Sequence, residues 1–212
     1  PIKGDDIVHK LSIDFMDAYH GAEKEISLTR EDACNDCAGK GYPKDIKPRP
    51  CVACGGSGQV VRSQGFFAIS TPCDRCRGAG EMIDKTCDEC RGNGVVRVTK
   101  KIKVKIPAGV DTNMRLRLSG EGNGGAAGHG DLYVFIHVKE HDIFKREEDN
   151  LHIYQNISLV QAALGGELTV PLPDGSETVT IPAGINTGEI IKIAGKGMKR
   201  VNGKGQGDLI VT

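Results

Sequence analysis

Apolar and polar residues alternate with a period of two along two stretches of the chain, through Ile102, Val104 and Ile106 and again through Val179 and Ile181. Such alternation sends one set of side chains to each face of a strand. Both stretches run into the same tetrapeptide, IPAG, at 106–109 and 181–184, which reads as a strand end and a turn. PDG at 173–175 is a hairpin signal. Only Phe15–Tyr19 and Leu159–Leu164 look helical; Asp14 and Ser158 stand where a cap belongs, and a glycine follows each segment.

These elements recur in order. DIVHKLSIDFMDAYHGAEKEISL (6–28) matches DNLHIYQNISLVQAALGGELTVPL (149–172), with His9 against His152, Ala18 against Ala162 and Gly21 against Gly165. KVKIPAGVDTNMRLRLSGEG (103–122) matches TVTIPAGINTGEIIKIAGKG (178–197), and GHGDLYVFI (128–136) resembles GQGDLIVT (205–212). The first block is offset by about 143 residues and the second by 75, and the difference of 68 is the length from Glu31 to Val98. The first repeat therefore carries an insertion between two of its strands, which loop tips tolerate when their ends lie close together. The expected fold is mainly β: two tandem β-sandwich-like domains with short helices, joined near 138–148, plus an inserted arm. The expected division is 1–30 with 96–140 for the first β domain, 31–95 for the arm and 141–212 for the second β domain.

Composition narrows the function. Lys plus Arg and Asp plus Glu both number 28, so the basic excess of a nucleic-acid binder is missing. No run of 18 apolar residues exists to cross a membrane as a helix. The chain begins PIKGDDIVHK, without an initiator Met or a secretory signal, and reads as a piece of a longer, cytoplasmic protein.

The insertion holds all eight cysteines, in CNDCAGKG (34–41), CVACGGSG (51–58), CDRCRGAG (73–80) and CDECRGNG (87–94). Each obeys CxxCxGxG. A CxxC turn points two thiolates at one tetrahedral ion, and two such turns complete a four-cysteine zinc site. Eight thiolates predict two Zn2+ per chain. The glycines allow backbone with φ > 0 to wrap a metal closely. The arm has few large apolar residues, so metal would replace its core, at about 10–16 kcal/mol per structural site. A disulfide framework would need a secreted context. Thioredoxin-like redox pairs normally occur once, near a βαβ pattern; a zinc-dependent thiol–disulfide oxidoreductase is nonetheless the alternative activity. A closed four-thiolate site leaves no position for catalytic water, so the chain is not expected to be an enzyme. His9, His20, His129, His137, His141 and His152 lie outside the cysteine cluster and read as surface or packing residues. Spacing alone leaves the pairing of the four knuckles open.

Four CxxCxGxG units inserted into the first of two β repeats, with GHGDLYV, VPLPDG, IPAG and GKGM, resemble the C-terminal part of the class A J-domain co-chaperones, the DnaJ family, over essentially the whole chain. The resemblance implies a protein that binds unfolded polypeptide clients, prevents their aggregation and delivers them to the DnaK chaperone, which works with the exchange factor GrpE. No His-Pro-Asp of a J domain and no Gly/Phe-rich linker occurs here, so ATPase stimulation is not expected of this segment. The family dimerises beyond the second β domain, which implies a homodimer at full length and a monomer for this stretch. The resemblance also implies that zinc 1 is held by Cys34, Cys37, Cys87 and Cys90, and zinc 2 by Cys51, Cys54, Cys73 and Cys76.

Class A relatives bind an extended client segment along a strand edge of the first β domain, beside an apolar pocket. Carried over, the pocket residues are Ile7, Ile26, Leu28, Ile102 and Val134. Ile26 and Leu28 are two apart and share one strand face. Alternating aliphatics on a strand are also what a core requires. Arg75, Arg77 and Arg91, in the knuckles, are candidates for a second contact, to client or to DnaK, or simply keep the arm soluble.

Overall fold

The structure, a computed structural model, describes residues 3–64, 67–125, 128–201 and 203–212. It is mainly β, with two helices of six residues each among the described residues, Phe15–His20 and Leu159–Leu164. Both helices are bounded as their sequences direct. Ser158 Oγ accepts from the Gln161 N–H at 3.2 Å and Gln161 Oε1 accepts from the Ser158 N–H at 3.0 Å, a reciprocal cap. Gly21 and Gly165 end the helices at φ +80° and +73°.

The chain divides into two compact units. The first comprises Pro1–Ile7, Thr29–Lys100 and Ser119–Asp131. It contains two small antiparallel strand pairs of the cysteine region, Arg49–Pro50 with Glu81–Met82 and Gln59–Gln64 with Phe67–Pro72. It also contains the short pair Gly124–Gly125 with Gly128–His129. The long strands Ala22–Ala33 and Val95–Ile106 pair with each other, and their segments nearest the cysteines belong to this unit.

The second unit comprises Val8–Leu28, Lys101–Leu118 and Leu132–Thr212. A three-stranded sheet is ordered Ile7–Ile13, Leu132–Val138, Arg115–Leu118. A four-stranded sheet is ordered Lys145–Glu147, Asn150–Ile153, Leu209–Val211, Ile191–Ile193. Gly166–Leu172 pairs antiparallel with Gly175–Ile181 across the two-residue turn Pro173–Asp174. Ile13, Val104, Ile106, Val110, Leu132, Val134 and Ile136 are buried in the first repeat, as are Leu151, Ile153, Val170, Met198 and Leu209 in the second. Each such side chain contributes about 1.5–3 kcal/mol on burial.

The internal repeat holds at the level of single hydrogen bonds. Gly109 N–H donates to Ala18 O at 2.7 Å, and Gly184 N–H to Ala162 O at 2.8 Å. Gly120 N–H donates to Asp131 Oδ1 at 3.0 Å, and Gly195 N–H to Asp208 Oδ1 at 2.9 Å. Gly122 N–H reaches Gly130 O as Gly197 N–H reaches Gly207 O, at 2.9 and 2.8 Å. Asn123 N–H reaches Asp5 O as Met198 N–H reaches Asp149 O, at 2.9 and 2.8 Å.

The copies differ in what covers their helices. Phe15 is 5% exposed; it stacks on Phe144, with ring centroids 5.7 Å apart, and lies 5.1 Å from the His141 ring. Its counterpart Leu159 is 86% exposed, and Leu164 and Tyr154 are also largely exposed.

Candidate metal centre

Each CxxC turn places its two sulfurs on one side of a tight knuckle, and a backbone bond from the following glycines fixes the second sulfur. Gly41 N–H donates to Cys37 Sγ at 3.3 Å, Gly58 N–H to Cys54 at 3.3 Å, Gly80 N–H to Cys76 at 3.3 Å and Gly94 N–H to Cys90 at 3.2 Å. The last glycine of every CxxCxGxG therefore supports a ligand directly. Beyond the positive φ and close approach expected of these glycines, their N–H groups hydrogen-bond to sulfur.

The knuckles associate in pairs with near two-fold symmetry. Cys34 N–H donates to Gly94 O and Cys87 N–H to Gly41 O, both at 2.9 Å. Cys51 N–H donates to Gly80 O at 2.8 Å and Cys73 N–H to Gly58 O at 2.9 Å. Cys34, Cys37, Cys87 and Cys90 are thereby brought into one group, and Cys51, Cys54, Cys73 and Cys76 into a second. Within each group the sulfurs lie within 4.8 Å of one another. The cross-knuckle separations are 3.8 Å for Cys34–Cys87, 3.7 Å for Cys37–Cys90, 4.0 Å for Cys51–Cys73 and 3.8 Å for Cys54–Cys76. All eight cysteines are free thiols.

These separations test the fit to a metal. A tetrahedron with metal–sulfur bonds of about 2.3 Å has sulfur–sulfur edges of about 3.8 Å, the value for zinc. A disulfide needs about 2.05 Å. Both groups therefore suit a tetrahedral ion of zinc's size, and their four thiolates are its soft donor set.

Burial and hydrogen bonding set the thiols against one another. Burial opposes ionisation of Cys37, but the Gly41 N–H and the neighbouring sulfurs outweigh it and lower its pKa to about 7. Cys54 behaves likewise: burial is opposed by the Gly58 and Gly56 N–H groups, and its pKa falls to about 7. At Cys87 the Cys90 N–H favours the thiolate, yet burial and the sulfurs of Cys90 and Cys34 prevail and raise the pKa to about 11. Cys37 and Cys54 thus ionise readily, while burial at Cys76 and Cys87, together with the neighbouring sulfurs, makes a second negative charge resist forming until a cation neutralises it.

Among the described residues from 34 to 94, every buried one is cysteine or glycine. Val96 packs against the first sulfur group from just outside that span. Arg75, Arg77 and Arg91 are exposed.

The residues expected to line an apolar client pocket lie elsewhere. Ile26, Leu28, Ile102 and Val134 all belong to the second unit and are buried, at 5%, 6%, 6% and 0% exposure. Ile7 is half-buried and belongs to the first unit. An apolar groove not expected from the sequence lies in the second repeat. It measures about 600 Å3 and includes Tyr154, Leu159, Leu168, Ile185, Ile191 and Val211. None of the described helices is long and apolar enough to cross a membrane.

The family model for the DnaJ C terminal domain matches residues 7–212. The chain is similar to the chaperone protein DnaJ of Syntrophobacter fumaroxidans, 44% identical over 210 residues, covering 98% of this chain and 55% of that protein. It is 42% identical over 210 residues to the chaperone protein DnaJ of Vesicomyosocius okutanii, covering 98% of this chain and 58% of the relative. It is 43% identical over 213 residues to that of Desulfotalea psychrophila, covering 100% of this chain and 57% of the relative. The chain thus spans between 55% and 58% of the length of these relatives. By its knuckles, its repeat and this match, the chain belongs to the DnaJ C-terminal domain family.

Proposed function

We propose that this chain binds unfolded or misfolded polypeptide segments, keeps them from aggregating and passes them to a DnaK-type chaperone in protein folding and the stress response. Family membership over residues 7–212 carries the reading. In the longer protein the system would include DnaK and its exchange factor GrpE, a homodimer and a cytoplasmic setting. The part described here would act as a binding module, not as an enzyme. Its functional division would follow 1–30 with 96–140, 31–95 and 141–212.

Two Zn2+ would be held by the two sulfur groups, Cys34, Cys37, Cys87 and Cys90 for one and Cys51, Cys54, Cys73 and Cys76 for the other. Bound zinc would supply cross-links that stand in for a core. The chain's own part is to aim four sulfurs at each point and to brace one sulfur per knuckle with a glycine N–H. The match to three proteins named as chaperones gives the oxidoreductase alternative no support.

A client strand would join the sheet at Ile7–Ile13, which has a partner on one side only among the described residues. Ile7 N–H donates inward to Asp131 O at 2.9 Å, so the alternation of a strand turns the N–H of Val8 outward. Backbone pairing there would recognise any extended chain without reading its sequence. Ile7, Ile26, Leu28, Ile102 and Val134 would form the apolar backing; the burial of the last four means that a client side chain reaches them only when the face opens. The groove around Leu159 and Tyr154 is a second apolar surface among the described residues. Its counterpart in the first repeat is filled by Phe144, which suggests an aromatic or large aliphatic occupant. One such side chain contributes about 1.5–3 kcal/mol, which suits weak, reversible capture.

The test is suppression of aggregation of a chemically denatured client, followed by light scattering. Val8→Pro removes an outward N–H without touching the core and should weaken suppression while zinc content stays unchanged. Leu28→Asp should weaken it too, but it also places a charge in a buried position and costs stability. Undiminished suppression by Val8→Pro removes the edge-strand assignment.

A further inference from the structure

The two repeats agree at most of their turn hydrogen bonds, so the places where they disagree are informative. Around the turns at 120–131 and 195–208, four matched positions change character: Glu121 against Lys196, Asn123 against Met198, Gly124 against Lys199 and His129 against Gln206. Only the first repeat carries the cysteine arm, and all four of its residues at these positions lie against the arm's base.

Asn123 Oδ1 accepts from the Glu31 N–H at 2.9 Å. Glu121 Oε2 accepts from Arg30 Nη1 at 2.9 Å and from Lys100 Nζ at 2.7 Å, one residue from each arm strand. His129 Nε2 lies 3.0 Å from Asp32 Oδ1 and 3.4 Å from Arg30 Nη2. Arg30 itself is 7% exposed, with Asp32 Oδ2 3.2 Å from its Nη2. A Cβ on Gly124 would stand 3.0 Å from Ala33 N and Asp32 Cα, so the turn meets the arm strand backbone to backbone. Met198 and Lys199, in the copy without an arm, could make none of these contacts.

The structure assigns to Glu121, Asn123, Gly124 and His129 a positioning role: they form a latch that holds the two strands at the base of the cysteine arm against the 120–131 turn and so fixes the arm's direction. Glu121 gathers a cation from each strand, which stops the strands from splaying. Asn123 pins the Glu31 amide and sets the register. Asp32 ion-pairs with the buried Arg30 guanidinium, its Oδ1 2.9 Å from Nε, and His129 braces the Asp32 carboxylate from the turn. This goes beyond client binding, because it concerns how the arm is held whatever the arm touches.

The test replaces latch residues by those of the second repeat in the full, zinc-loaded chain. Spin labels carried on ketone-bearing unnatural residues at 57 and 119 leave the thiols untouched, and pulsed electron resonance reads the distance distribution. E121K/N123M/H129Q should keep two zinc ions and broaden that distribution about two-fold, as local release of the base predicts. A distribution as narrow as the parent's overturns the proposal. N123M alone serves if the triple variant does not fold. It should speed hydrogen exchange at the Glu31 amide about ten-fold, the equivalent of one net hydrogen bond, with the Cys34 and Cys87 amides unaffected. Unchanged exchange at Glu31, or equal loosening at Cys34 and Cys87, contradicts a separate latch.

Discussion

Position by position, the knuckle separates two uses of glycine. The residue directly after each CxxC is left-handed, yet it is Ala38, Arg77 and Arg91 in three knuckles, all at φ +53°, and Gly55 at φ +62° in the fourth, with nothing within 4 Å of a Cβ there. That conformation costs little enough for a side chain to remain. The last glycine is different. Gly41 sits at φ +81°, and a Cβ on it would stand 2.5 Å from Gly92 O in the opposite knuckle. Gly58 and Gly80 face the same contact across the second pair, each 2.5 Å from a carbonyl oxygen. Gly41→Ala should therefore strain the first site by about 1–3 kcal/mol, about a 5- to 150-fold loss of zinc affinity at that site alone. Competition with a chromogenic chelator measures it, and equal affinity at both sites would show that the contact has no effect.

Strands, turns and helices were the most legible level. The alternation at Ile102–Ile106, the Pro173–Asp174 turn and both six-residue helices follow from periodicity, turn chemistry and caps. The long strands Ala22–Ala33 and Val95–Ile106 were less so, because their arm-proximal ends carry charge where alternation would show aliphatics. The latch was illegible for the same reason: Arg30, Asp32, Glu121 and His129 satisfy one another across segments far apart in the chain, and pattern reading sees only solvated charges. At the metal centre, ligand types could be read from spacing, whereas the grouping of knuckles depends on contacts between Gly41 and Gly92 that no spacing encodes. Asp208 gives the element scale its own prediction. Its carboxylate accepts from Lys192, 2.7 Å away, and from the Gly195 N–H, and both hold its pKa below the usual carboxylate value. A depressed folded pKa stabilises the fold above the unfolded pKa of about 3.9, and that contribution is lost as pH falls through the folded value. Asp208→Asn should therefore lower stability near neutral pH and converge with the parent in acid, as denaturant melts across pH would record. A difference that persists unchanged into acid would rule out the ionised carboxylate as its source.

For the molecule as a whole, the two units rest on different physics. The second has an aliphatic core in each repeat, while the arm, between residues 34 and 94, buries only cysteine and glycine among its described residues. For an arm without a core, a metal at each sulfur group would supply the missing order, at about 10–16 kcal/mol per structural zinc site. Everything assigned to the arm therefore depends on two nested four-sulfur sites. Native mass spectrometry of the purified chain measures this most directly. The expected result is one folded species carrying two zinc ions with no cysteine oxidised, and Cys54→Ser carrying a single ion held by the outer four sulfurs. A folded chain free of metal, or one whose mass records oxidised cysteine pairs, would contradict it.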